Sequence, residues 1–193
     1  IPNVKVIILY GSYVRNKHTQ YRDIDVMVIV KKKLWKYENE RNNIKKEAEK
    51  KSSLKLDIQL IEEKWLKKAY PYSPALQTEL QEYEIIYGNI TLPKNRIINK
   101  PYLYKELLQV DIIIEMNKSL EAKYIYNGIR TALAIQLFLN KKVDNRLIIK
   151  TIENNIGIIT ANALQNNNAN KIQREMALRY LKYLYKELES RLR

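Results

Sequence analysis

Val4-Lys5-Val6-Ile7-Ile8-Leu9-Tyr10-Gly11-Ser12, followed after ten residues by Asp23-Ile24-Asp25-Val26-Met27-Val28-Ile29-Val30, decides the reading of this chain. Two apolar runs of strand length flank a polar loop. The first delivers a Gly-Ser pair and the second opens on two carboxylates. Strand residues alternate faces, so Asp23 and Asp25 point one way while Ile24 and Val26 point into a core. Neighbouring carboxylates repel and gain nothing from packing, but they suit a divalent cation. Gly11 omits a Cβ where the backbone must approach something closely, and Ser12 offers a hydroxyl and an amide at a helix start, a cradle for phosphate. Phosphate and metal together indicate nucleotide chemistry.

A third segment completes the pattern. Leu54-Lys55-Leu56-Asp57-Ile58-Gln59-Leu60-Ile61 alternates as a strand and carries one acid in its middle. If this strand lies beside the one that opens at Asp23, Asp57 joins Asp23 and Asp25 in a three-carboxylate cluster. Carboxylates with substrate phosphate oxygens hold magnesium, and two such ions clamp an in-line displacement. Arg15, just after the Gly-Ser turn, is the first candidate among Arg15, Lys17, His18 and Arg22 to offset triphosphate charge.

These motifs resemble the DNA polymerase β-type nucleotidyltransferase superfamily, and the spacing is similar to that of minimal nucleotidyltransferases (MNT) of prokaryotes. The resemblance covers about residues 4 to 90. It implies that Asp23, Asp25 and Asp57 bind metal and carry catalysis, with Mg2+ or Mn2+ as the ion. It further implies that Gly11, Ser12 and Arg15 hold a nucleoside triphosphate, expected to be ATP. The implied activity is transfer of AMP to a hydroxyl with release of pyrophosphate. A protein acceptor is expected over RNA, with an antitoxin-like role in a toxin–antitoxin pair. A tRNA-end or RNA nucleotidyltransferase and a catalytically idle nucleotide-binding module are the alternatives. Family members of this kind are often paired with helical partners whose ribonuclease motif needs an Arg followed closely by His. His18 is the sole His of the chain, so the helical half cannot carry that motif. A helical partner protein or a homo-oligomer remains an expectation.

Composition restricts the other classes. The 193 residues hold no Cys and one His, which excludes disulfides, thiolate metal sites and a multi-histidine zinc centre. Charged residues interrupt every apolar run before membrane-spanning length, and no signal peptide is visible, so a cytoplasmic enzyme is expected. The chain starts at Ile1 without Met, which leaves room for preceding residues. Its 35 basic and 21 acidic residues give a net charge of +14, spread over both halves. Such a field attracts triphosphates and polyanions and argues against a polycationic aminoglycoside acceptor.

The expected fold class is α+β. A catalytic domain over residues 1–92, a short mixed sheet with flanking helices, precedes an antiparallel helical bundle over 101–193. Helices are predicted over Trp35–Lys51, Glu62–Lys68 and Ala75–Gln81, a strand over Glu84–Gly88, and a linker over Thr91–Pro101. Four amphipathic stripes then follow: Leu103 to Ile114, Ile125 to Leu137, Ile148 to Ala163 and Ala177 to Leu192. The bundle is read as structural and acceptor-binding. Arg130 faces either a cleft or a salt bridge, and Tyr10, Tyr13, Tyr21, Tyr102 and Tyr104 are candidates to stack on a nucleobase.

Overall fold

In a computed structural model the described residues are 3–15, 23–32, 36–52 and 54–193. Lys17, His18, Tyr21, Arg22 and Trp35 lie outside them. The chain divides into two compact units, one of residues 1–71 with 79–95 and one of residues 72–78 with 96–193.

The first unit is built on a four-stranded mixed sheet in the order β3-β2-β1-β4. Strand β1 (Val4–Tyr10) runs antiparallel to β2 (Asp23–Val30) and to β4 (Glu84–Gly88), while β3 (Lys55–Glu62) lies parallel to β2. The final four residues of β2 are all buried, as expected of an inner strand covered on both faces. On one face Val28, Val30 and Leu60 form a cluster with Tyr37, near the start of helix α2 (Lys36–Ser52). Apart from Tyr37, α2 is largely polar, consistent with one stripe of contact over the sheet edge and a solvated remainder. On the other face the alternation of β1 buries Val6, Ile8 and Tyr10, and their partners Ile29, Met27 and Asp25 stand beside them. Short helices α1 (Gly11–Arg15) and α3 (Glu63–Ala69) belong to this unit; of α4 (Pro74–Glu79), which precedes β4 in the chain, only Glu79 does, the rest falling in the second unit. Glu63 anchors the start of α3 through ion pairs to Lys5 of β1 at 2.7 Å and to Lys67 at 2.8 Å.

The second unit is helical: α5 (Lys100–Glu115), α6 (Ala122–Leu139), α7 (Asn145–Ile156), α8 (Ile158–Gln165) and α9 (Lys171–Leu192). Its core joins Leu103, Leu107 and Val110 of α5 to Ile125, Ile129, Ala132 and Phe138 of α6 and to Ala177, Leu181, Leu184 and Leu188 of α9. These are the expected stripes. Two boundaries differ from the sequence reading. Pro101 belongs to helix α5 rather than to the linker. Its missing N–H falls in the first turn, where no intrahelical partner exists, and the Asn99 side chain caps that turn by accepting from the Tyr102 amide at 2.9 Å. The third stripe is two helices, because Gly157 sits at φ +81 between them. The break rotates α8 out of the α7 phase, so Ile159, read as core, is 76 % exposed.

The start of α9 shows how strongly one residue fixes a helix end. Asn170 accepts from the Gln173 amide, and Gln173 returns a bond to the Asn170 amide, both at 2.9 Å. Asn170→Ala is expected to cost about 1 kcal/mol, read as a lower urea midpoint with an unchanged slope. Arg130 donates to the Asn145 Oδ1 at 3.0 Å and so ties α6 to the start of α7, a structural role. No helix among the described residues is long and apolar enough to cross a membrane.

Candidate active site

Register assembles the site. Antiparallel pairing sets Tyr10 opposite Asp25, and parallel pairing sets Asp25 opposite Asp57. Directly paired residues share a face, so Tyr10, Asp25 and Asp57 stand in one row across three strands, with Asp23 two residues along β2 on the same side. The condition posed by the sequence, that the Asp57 strand lie beside the Asp23 strand, is met. Both flanks of this row follow from the chain path: β1 ends there and turns into α1, and β2 begins there.

Gly11 follows Tyr10 at φ +78, a region that side chains rarely adopt. A Cβ built on Gly11 would overlap the Asp25 carboxylate, with the Cγ of Asp25 at 2.7 Å. The close approach is therefore to Asp25 itself. The sequence reading expected a ligand phosphate there; what the missing Cβ makes room for among the described residues is the carboxylate. Ser12 is half-buried in the first turn of α1, and Arg15 ends that helix close enough to oppose the ionisation shift of Asp25.

Electrostatics mark Asp25 as the strained member. Its pKa is raised from 3.8 to about 6, first by burial and then by the charges of Asp23, Asp57 and Glu79, with Arg15 pulling the other way. Because the folded value lies above the unfolded one, ionising Asp25 costs stability as pH rises from about 4 to about 6, and the cost is constant above that. After allowance for solvent screening this amounts to roughly 1–2 kcal/mol. Thermal unfolding of the metal-free protein with chelator is expected to show it. The gap between Asp25→Asn and the native chain should open in favour of the variant across that window, and a gap independent of pH would contradict the shift.

Two residues of the site were not singled out for it by sequence. Glu79, the last residue of α4, acts on both Asp25 and Tyr10. Nothing in the run Pro74-Ala75-Leu76-Gln77-Thr78-Glu79 signals this, since only the tertiary path brings it there. Tyr10 had been read as a stacking candidate, but it is buried and belongs to the acidic row instead. Burial first, and then the charges of Glu79, Asp25, Asp57 and Asp23, push its phenol well above the ordinary range.

The donor set suits a hard divalent cation. Oxygen ligands only, mutually repelling and partly desolvated, are relieved by positive charge. As the side chains stand, no three described His, Asp or Glu residues are gathered as a cage. Magnesium is commonly held by one or two carboxylates together with substrate phosphates, which the paired Asp25 and Asp57 with Asp23 would match.

A mixed sheet whose first strand turns through Gly-Ser beside an acidic row defines a nucleotide-transfer domain. Residues 1–72 match the family model described as polymerase beta, nucleotidyltransferase, a match that supports a nucleotidyltransferase of the polymerase β type. Among solved structures it is similar to spectinomycin adenyltransferase AAD(9) from Enterococcus faecialis, crystallised with ATP and spectinomycin. The identity is 16 %, the TM-score 0.57, and the match covers 97 % of this chain and 92 % of that one. At that identity the likeness is one of fold. No curated protein matches the sequence.

Proposed function

We propose that the chain transfers AMP from ATP to a hydroxyl group with magnesium bound at Asp23, Asp25 and Asp57. The observation that carries this reading is the row of Asp25 and Asp57 in register, with Asp23 on the same face and Gly11 packed against Asp25. A bound divalent ion would supply Lewis-acid stabilisation of phosphate charge and ease loss of the acceptor proton. The chain's own part is positioning. Asp23 and Asp25 are held by their strand, Asp57 by its neighbour, and Gly11 keeps backbone clear of the Asp25 carboxylate. Ser12 offers its amide and hydroxyl beside the row, and Arg15 adds positive charge there. Holding reactants and charges in place supplies most of the rate in phosphoryl chemistry of this type.

For the acceptor, a small molecule is the first reading. The likeness to an adenyltransferase crystallised with a small antibiotic runs through nearly the whole of both chains, helical unit included. The net charge of +14 argues against a cationic small molecule only if it governs the site. Fields are screened over about 8–10 Å, and Asp23, Asp25, Asp57 and Glu79 make this neighbourhood locally acidic. A protein hydroxyl within a toxin–antitoxin pair, suggested by the motif spacing, is the second reading.

Incubation with α-labelled ATP, magnesium and separate pools of small metabolites, protein and total RNA tests the acceptor. Label in the small-molecule pool supports the first reading and label in protein the second. Label confined to RNA, with a rate falling steeply with salt through counterion release, would contradict both.

A further inference from the structure

Tyr10, the last residue of β1, carries a polar group that the proposed chemistry leaves unused. The residue is 3 % exposed, yet its hydroxyl has no hydrogen-bond partner among the described residues. A buried polar group left unpaired costs about 1–3 kcal/mol, a cost that Phe with the same ring would avoid. Pairing sets Tyr10 opposite Asp25, and Asp25 opposite Asp57, so the ring stands in the acidic row. The carboxylates acting on its hydroxyl are Glu79, Asp25, Asp57 and Asp23. The hydroxyl thus lies within the field of four acids, in the row that register defines, and bonds to none of them.

A phenol with an ordinary pKa near 10 is a donor at neutral pH. Donors buried beside an anionic cluster lack a partner until one is brought in. The oxygens that arrive with a magnesium–nucleotide are the waters of the cation and the phosphate oxygens, and both accept hydrogen bonds strongly. We infer that Tyr10 is a ligand-binding residue whose hydroxyl donates to an oxygen delivered with the loaded metal and nucleotide. The inference rests on the nucleotide-site reading above and adds a neutral donor to a site otherwise described by its charges.

Tyr10→Phe in the full chain removes one oxygen and keeps the ring. Thermal unfolding and calorimetric titration are run without ligand, with magnesium alone, and with magnesium plus a non-hydrolysable ATP analogue. In the free protein the midpoint should hold or rise. Affinity for the magnesium–analogue pair should fall about tenfold, equivalent to about 1.4 kcal/mol. Weaker binding already in the magnesium arm assigns the acceptor to a water of the cation, and weaker binding only with the analogue assigns it to a phosphate oxygen. Equal affinity of the two proteins in every arm overturns the inference, as does a lower free-protein midpoint with unchanged affinity. If the native chain itself binds neither magnesium nor the analogue, the nucleotide-site reading fails and this inference falls with it. If the native chain binds and the variant binds equally, the inference alone fails.

Discussion

Asp25→Asn is expected to abolish nucleotide transfer while the chain keeps its fold. Asp25 occupies the middle of the row, paired with Tyr10 on one side and Asp57 on the other. It is also the carboxylate most disfavoured as an anion, with its pKa raised to about 6. Those two facts push activity and stability in opposite directions. On the proposed assignment, removing the charge deletes a ligand for the cation, and electrostatic stabilisation worth several kcal/mol in the transition state goes with it. Transfer should fall by roughly three orders of magnitude or more. The same change relieves repulsion and desolvation in the metal-free chain, so the melting midpoint at neutral pH should hold or rise. The stability gained by removing a site residue is the signature of a functional charge held against its own preference. Retained transfer, or a strongly lowered midpoint, would speak against the assignment of Asp25.

Gly11→Val should produce the second large effect, and through stability as well as binding. The residue sits at φ +78, and its Cβ would overlap the Asp25 carboxylate. Left-handed backbone costs a side-chain-bearing residue about 1–2 kcal/mol, and overpacking adds about 1–3 kcal/mol. A loss of about 3 kcal/mol in urea unfolding is expected. The Asp25 carboxylate must also leave its place in the row, so affinity for a magnesium–ATP analogue should fall in parallel. Gly11→Ala should show the same two losses in smaller measure. Unchanged stability and unchanged binding in the Val variant would reduce Gly11 to an ordinary turn residue.

What could be read in advance followed from periodicity. Alternation over Val4–Tyr10 and Asp23–Val30 determines which side chains share a face, so the placement of Asp23 and Asp25 together needed no structure. The 3.6-residue stripes of α5, α6 and α9 likewise name their buried positions directly. Pairing between distant strands is different in kind. The neighbourhood of Asp25 and Asp57 required that β2 and β3 run parallel, a tertiary fact on which the sequence could only be conditional. Glu79 was invisible for the same reason, because its approach depends on the path from Pro74 to Glu84 and not on any local pattern. Gly157 shows the limit of stripes. A single residue at positive φ resets the helical phase, and counting across it assigned Ile159 to a core it does not enter. Tyr10 was misjudged because an aromatic ring can serve stacking or packing equally well until its burial is known.

The account stands most directly on the fate of the nucleotide's phosphates. Native chain and Asp25→Asn are each incubated with magnesium and with ATP labelled at either the α or the γ phosphate, in the presence of the acceptor pools. The expected result is α label bound to acceptor, γ label recovered only as pyrophosphate, and neither signal from the variant. Transfer of the γ label to an acceptor, or α label transferred equally by Asp25→Asn, would contradict the central claim.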